Sequence, residues 1–458
     1  MMTEVFDVLI IGAGQAGGPL ATAFGKAGKK TALIEKEHVG GTCINEGCTP
    51  TKTMVASARV AHLARRAGNY GVTVGEVAVD MSVVRRRKRE IVDSFRNGSQ
   101  GRIEKSDNVE LIFGTAAFSG EKTVTVALQE GGTRELKAET IVINAGGRPA
   151  APPIPGLKEI PYLTSTSIME LDAVPDHLVI IGGGYISLEF GQMFRRFGSK
   201  VTVIEQSPRF LPREDADIAD SLEKILEEDG IEIHLGAKTD SVRLDGEGYR
   251  IEMTVGGESK TLQGSHLLVA VGRTSNADLL NLEAAGVKTN ERGWIPVNEK
   301  LETNVAGIYA LGDINGGPAF THISFDDFRI LRANLIEGED SSTKGRLVPY
   351  TMYTDPQLGR VGISEQEAKD KKLDVKIFSM PMSYVARALE TDEPRGLMKA
   401  IVDKKTNQIL GAAVLGIEGG EVMTMLQLAM MGNLPYTTLR DAVFAHPTIA
   451  EALNNLFG

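Results

Sequence analysis

One pattern occurs twice in this chain and limits the folds open to it. The stretch FDVLIIGAGQAGGPLATAFGKAGKKTALIEK (residues 6–36) runs from a buried apolar strand through a glycine loop and a small-residue helix to a second strand ending at Glu35. The stretch HLVIIGGGYISLEFGQMFRRFGSKVTVIEQ (residues 177–206) repeats that order and ends at Glu205. The intervals from Gly12 to Glu35 and from Gly182 to Glu205 are both 23 residues. A glycine loop between strand and helix, with an acidic residue closing the next strand, marks a dinucleotide-binding βαβ unit. The chain is therefore expected to contain two Rossmann-like α/β units.

Each residue type in the pattern has a physical reason. Gly12, Gly14 and Gly17 let the backbone approach a pyrophosphate at the positive end of the helix, and Glu35 can accept hydrogen bonds from the adenosine ribose hydroxyls. In the second loop Gly182 and Gly184 are present, but Ser187 takes the third glycine position, where a small side chain still permits close helix packing. Glu205 in the ribose position favours NADH over NADPH, since a carboxylate repels the 2′-phosphate. Arg209, four residues on, offers that phosphate a cation if the loop folds back. Two dinucleotides on one chain imply a relay: a nicotinamide gives up two electrons as hydride, and a flavin is the natural acceptor.

At 458 residues the chain needs further packed units. Alternating, β-branched segments such as NVELIFGTAAF, KTVTVAL and YRIEMTV read as strands. TIVINAGGRPAAPPIPG and HLLVAVGRTSN each end a buried strand in glycine and mark crossings between domains. From about Val348 the pattern changes to strands followed by helices, an α+β arrangement. The Met- and Leu-rich helix in GGEVMTMLQLAMMG suits either a dimer face or core packing. The expected domains are residues 1–150 and 151–270 for the two dinucleotide units, 271–345 for a central segment and 346–458 for the C-terminal α+β domain.

Composition narrows the partners. With 42% hydrophobic and 24% charged residues the chain is neither disordered nor collagenous. Its net charge of −10 argues against broad binding to nucleic acid or anionic lipid. The basic run Arg85–Arg89, inside a helical segment, reads as a solvated face rather than a phosphate patch. The short acidic start is no signal peptide, and no apolar run approaches the roughly 20 residues that span a bilayer, so a cytosolic protein is expected.

Only two cysteines occur, Cys43 and Cys48, in GGTCINEGCTPTK. A loop running into a helix, with Pro50 suited to the first turn, places them where a helix N-terminus stabilises a thiolate. They read as a reactive pair. A structural disulfide closing so short a loop adds little stability, and no second Cys or His pair has zinc-ligand spacing. Lys52, expected in the first helical turn, opposes the helix dipole there and calls for an anionic partner such as Glu189 or a flavin ring. Near the other end, AHPTIAEAL holds His446 and Glu451. Thr448 and Glu451 fit a helix capping box; equally, Glu451 can orient the His446 imidazole as an acid–base group for a thiol.

GGTCxNxGCxPTK and AHPTxxE at opposite ends of one chain resemble the pyridine nucleotide-disulfide oxidoreductases, and the likeness covers essentially the whole chain. The resemblance implies an FAD domain, an NAD(P) domain, a central domain completing the FAD site and an interface domain. It also implies a homodimer in which His446 and Glu451 of one subunit complete the site of the other. By position, Cys48 lies against the flavin as the charge-transfer thiolate and Cys43 is the interchange thiol. Lys52 pairs with Glu189 beside the flavin N5, Tyr185 shields the nicotinamide pocket, and Asp313 in YALGDINGG binds the ribityl chain. The implied cofactor-binding set takes in Thr42, Gly114 and Gly272 as well.

Dihydrolipoamide dehydrogenases share both motifs and mercuric reductases the first. The C-terminal cysteine pair and N-terminal metal-binding domain usual in mercuric reductases are not in this sequence. FLPREDADIAD, FTHISFDDFRILR and RGLMKAIVDKKT look most like the bacterial reactive-chlorine-resistance flavoproteins, which act as hypothiocyanous acid reductases. That resemblance implies a small oxidant or disulfide as substrate, ahead of a lipoyl group or a metal ion.

Overall fold

The structure, a computed structural model, describes residues 2–458. Seven helices position the sites: α1 (Gly17–Lys26), α2 (Gly41–Asn45), α3 (Cys48–Arg65), α4 (Met81–Glu104), α5 (Tyr185–Phe197), α6 (Ala216–Glu228) and α7 (Thr321–Leu335). The chain divides into two compact units. The first comprises the segment ending at Thr53, Val83–Ala150 and Gly272–Arg346; the second comprises Met54–Ser82, Ala151–Val271 and Leu347–Gly458. The basic run lies on α4, where Arg86, Arg87 and Arg89 are exposed and Lys88 is buried.

The first unit is built on an eight-stranded sheet. Its parallel part runs in the order Val109–Gly120, Thr31–Glu35, Val8–Ile11, Thr140–Ile143, Ile308–Ala310. Val8–Ile11 is apolar at every position because both faces are covered, as parallel strands require. Leu9 and Ile11 join one core cluster, Val8 and Ile10 the other. Val109–Gly120 leaves the parallel pairing after Phe113 and continues as an antiparallel ribbon with Thr123–Leu128.

The second unit repeats the theme at smaller scale. Four parallel strands run in the order Ile231–His234, Lys200–Ile204, His177–Ile181, His266–Val269, and an antiparallel meander spans Ala237–Gly264. The C-terminal part is a five-stranded antiparallel sheet, in the order Tyr350–Met352, Gln357–Gly362, Ile409–Gly416, Leu397–Asp403, Val375–Pro381. Helix Gly419–Met431 sits so close to it that a Cβ at Gly359 would lie 2.5 Å from the Gly419 carbonyl oxygen. That helix serves two faces: Val422, Met423, Leu426 and Ala429 are buried, while Leu428 and Met431 are 60% and 62% exposed. Buried Arg196 of α5 donates to Asp355 at 2.5 Å, tying the parallel sheet's helix to the C-terminal part.

Candidate dinucleotide and redox sites

In the first loop Gly12 has φ of +102°, and a Cβ there would lie 2.3 Å from the Asn144 carbonyl oxygen. A Cβ at Gly17 would lie 2.0 Å from the Gly12 carbonyl oxygen, so α1 starts closer to the loop than any side chain allows. Both oxygens of Glu35 are held by backbone: Oε2 accepts from Ala13 N–H and Oε1 from Glu37 N–H, each at 2.8 Å. Asn144 braces the loop from the neighbouring strand. Its Oδ1 accepts from Gly17 N–H at 3.0 Å and its Nδ2 donates to the Leu311 carbonyl at 2.9 Å. Gly114 stands where its strand changes partners, and a Cβ there would lie 2.6 Å from the Ala127 carbonyl oxygen.

The cysteines follow directly. Cys43 lies in the short helix α2 rather than in a loop, because residues from Gly41 complete a helical turn. Cys48 is the first residue of α3, so Pro50 falls in the first turn as expected, whereas Lys52 is the fifth residue and lies just beyond it. Cys48 is exposed, Cys43 half-buried, and the sulfurs are not bonded to each other. The Cys48 sulfur lies 3.3 Å from the hydroxyl of Thr321, which opens α7. Two helix N-termini thus converge on one sulfur, an arrangement that favours an anion. The Cys43 thiol is pushed well up from its ordinary value, first by its hydrogen bond with the Cys48 sulfur and then by burial; Thr321 and the Lys52 charge pull the other way. The pair therefore favours a single negative charge, with the proton kept on Cys43.

Asp313 lies in the turn Gly312–Asn315. Burial pushes its carboxyl up and the charge of Arg273 opposes the shift. The turn is fixed from behind by fully buried Asp327, whose Oδ2 accepts from Gly312 N–H at 2.9 Å and whose Oδ1 accepts from Arg346 at 2.6 Å. Arg273, next to Gly272, donates to the Gly147 carbonyl and reaches Thr42 Oγ1 at 3.4 Å. Its Nε is buried with no hydrogen-bond partner among the described residues, 3.8 Å from Asp313 Oδ2. A half-buried acceptor and an unsatisfied buried donor side by side fit a ligand carrying hydroxyls and phosphate oxygens, and the glycine cradle fits its pyrophosphate.

The second loop repeats the carboxylate geometry. Oε2 of Glu205 accepts from Gly183 N–H at 2.5 Å and Oε1 from Ser207 N–H at 2.6 Å. Gly182 has φ of +104°, and a Cβ there would lie 2.5 Å from the Ala270 carbonyl oxygen. Ser187 is fully buried and its hydroxyl donates to that same carbonyl at 3.3 Å. Tyr185 opens α5, and its hydroxyl donates to Glu214. Glu189, buried in the same helix, accepts from Tyr353 N–H at 2.8 Å. In the C-terminal segment His446 Nδ1 lies 2.9 Å from Glu451 Oε2. Thr448 Oγ1 accepts from Glu451 N–H at 3.2 Å, but the helix starts only at Ala452 with Glu451 as its N-cap, so no capping box forms and the Glu451 carboxylate turns to the imidazole.

Residues 6–327 match the family model described as pyridine nucleotide-disulphide oxidoreductase, and residues 348–457 match that family's dimerisation domain. The chain belongs to the pyridine nucleotide-disulphide oxidoreductases. A probable pyridine nucleotide-disulfide oxidoreductase of Escherichia coli K12, RclA, is 39% identical over 456 residues, covering 99% of this chain and 98% of that protein. Mercuric reductase of Bacillus cereus is 35% identical over 98% of this chain and 70% of its own length. Dihydrolipoyl dehydrogenase of Haloferax volcanii is 33% identical over 98% of this chain and 94% of its own. A solved structure described as a Cu(II) complex of the HOCl-induced flavoprotein disulfide reductase RclA from Escherichia coli superposes with a TM-score of 0.91 at 38% identity, covering 100% of this chain and 99% of that one.

As a pyridine nucleotide-disulphide oxidoreductase the protein is an FAD-dependent, NAD(P)H-using flavoprotein disulfide reductase. No helix among the described residues is long and apolar enough to cross a membrane. Sequence reasoning missed four supports of this oxidoreductase's sites: Asn144, Arg273, Thr321 and Glu214. Asn144 had a signal, a polar residue ending the buried strand TIVI just before two glycines. The other three gain their meaning only from partners far away in sequence.

Proposed function

We propose that the protein reduces a small oxidant or disulfide at the Cys43–Cys48 pair, with a hypothiocyanous acid-like electrophile as the first choice of substrate and NADH as the preferred coenzyme. The observation that carries this reading is the dithiol held between the N-termini of α3 and α7 in the same unit as Glu35 and Asp313. When bound, FAD takes a hydride's two electrons from the coenzyme and passes them to a disulfide. Gly12, Gly14, Gly17, Glu35, Thr42, Arg273 and Asp313 would hold it, with Lys52 beside its reactive edge.

The thiols perform the substrate step. A Cys43 thiolate attacks the sulfur of hypothiocyanous acid and expels hydroxide; Cys48 then attacks Cys43, releasing thiocyanate and closing the disulfide. Hydroxide and one proton leave as water, so two electrons from the dithiol have reduced the oxidant. Because the Cys43 proton is held firmly, this step needs a base. His446, oriented by Glu451, supplies it from a second copy of the chain in a homodimer, which the match to the dimerisation domain supports.

Anaerobic titration with NADH and with NADPH tests the reading. A long-wavelength thiolate-to-flavin band at two-electron reduction, absent in Cys48→Ser, is expected; simple bleaching would remove the relay. Cys43→Ser is expected to keep its flavin and lose turnover of hypothiocyanous acid and of an aromatic disulfide, and retained turnover would sink the assignment. A metal-reductase reading draws on the mercuric reductase relatives, and equal turnover of Hg(II) would favour it.

A further inference from the structure

We propose, on the reading of Cys43 and Cys48 as the redox pair, that Arg96 is a positioning residue for that pair: through Asn45 it holds α2, and Cys43 with it, in place beside Cys48. Helix α4 turns Val84, Lys88, Val92, Arg96 and Ile103 inward, spaced by four and then seven residues. The Arg96 side chain is 24% exposed, and a guanidinium in that row needs an acceptor. It finds one in the redox loop, where Arg96 Nε donates to Asn45 Oδ1 at 2.7 Å. Its contact with Asp93 is 3.4 Å long and made to a side chain 57% exposed, so it adds little.

Asn45 ties the redox loop together. Its Nδ2 donates to the Val39 carbonyl at 3.1 Å and to the Gly41 carbonyl at 2.9 Å, and Gln15 donates to the Gly40 carbonyl between them at 2.9 Å. Three successive carbonyls just before Cys43 are thus held by side-chain amides. With both amide protons of Asn45 committed, its oxygen is left to take a donor from outside the loop. Helix α2 has five residues and no side-chain cap, too few to keep its own shape, so its orientation comes from these bonds. Arg96 links them to a helix of 24 residues. The Cys43 thiol hydrogen-bonds to the Cys48 sulfur, and holding α2 keeps the effective concentration of one sulfur at the other high. A loosened α2 spreads Cys43 over more positions in the dithiol and makes closure of the disulfide less favourable.

An aromatic disulfide is the probe, applied to the reduced holoenzyme in anaerobic stopped-flow. Cys43 attacks one of its sulfurs, gives its own proton to a base and expels one aromatic thiolate; Cys48 then attacks Cys43, closes the disulfide and expels the second. Two electrons pass from the dithiol to the probe. Arg96→Leu is expected to slow release of the second thiolate about fivefold, with FAD content unchanged. Its disulfide reduction potential, read by alkylation and mass spectrometry in dithiothreitol buffers, should rise by a matching fivefold change in the equilibrium constant, about 20 mV. Arg96→Lys, which keeps a donor for Asn45 Oδ1, is expected to stay within about twofold of wild type. Asn45→Ala/Arg96→Leu should be no worse than Asn45→Ala, because Arg96 acts through Asn45. If Asn45→Ala does not fold, the two Arg96 variants carry the test. Unchanged release and potential in Arg96→Leu, a loss in Arg96→Lys as large as in Arg96→Leu, or full additivity in the double variant overturns the inference. A wild-type protein that releases no second thiolate would instead remove the reading of the cysteines as the redox pair.

Discussion

The two glycine loops of this chain share a carboxylate and a strained first glycine, and differ at the second and third glycine positions. Glu35 and Glu205 each tie both oxygens to backbone N–H groups, one in the glycine loop and one two residues further along. The first loop, however, leaves no room for a side chain at its second and third glycines. A Cβ at Gly14 would lie 2.8 Å from Asn144 Oδ1, one at Gly17 2.0 Å from the Gly12 carbonyl oxygen, and one at Gly41 2.9 Å from Gly14 Cα. In the second loop Gly184 faces open space and a serine replaces the third glycine. One motif has thus been packed twice, with its third glycine position closed to any side chain in the first loop and open to a serine in the second.

Exchanging the third loop residue breaks this comparison most severely. Gly17→Ser drives a side chain onto the Gly12 carbonyl, an overpacking cost of about 3 kcal/mol or more, and the purified protein is expected to be colourless. The reciprocal Ser187→Gly loses one hydrogen bond and some helix propensity, about 1–2 kcal/mol, and should stay fully yellow with a lower melting temperature. Next in size is Asn144→Ala. It leaves the Gly17 N–H and Leu311 carbonyl without their partner, at about 1–3 kcal/mol, and is expected to weaken FAD retention on dialysis while NAD⁺ binding stays within about twofold.

Smaller effects sharpen the comparison at the second loop. Removing the charge in Glu205→Gln is expected to shift the NADPH-to-NADH preference towards NADPH by at least about fivefold, since a unit charge 4 Å away is worth about 1–4 kcal/mol; flavin content should not change. A last effect is on pH. In the unit that carries the second loop, burial and then the Arg196 charge push His62 down to about 4. The unfolded chain takes up this proton near the ordinary histidine value and the folded one does not. Stability is therefore full above about pH 6.5 and falls as pH drops from there towards 4. Denaturation midpoints at pH 7.5 and 5 should differ, and His62→Gln should narrow the gap.

The two βαβ units and the cysteine pair were legible because their signals are local: a strand, a turn that only glycine can make and a carboxylate at fixed spacing. The helical placement of Cys43 and the second-turn position of Lys52 were less so, since a five-residue helix carries no periodicity of its own. The supports were least legible. Asn144 stands 127 positions from Gly17, and Thr321 stands 273 from Cys48. Glu214 looks like one acid among several in PREDADIAD until folding brings Tyr185, Tyr350 and Arg360 to it.

The backbone ties on Glu205 also bear on how this enzyme could change its fuel. Reversing the charge at that position would remove the acceptor for Gly183 N–H and Ser207 N–H together, so the loop would lose its shape. Any lineage that changed Glu205 would have to rebuild the turn from Glu205 to Ser207 as one module.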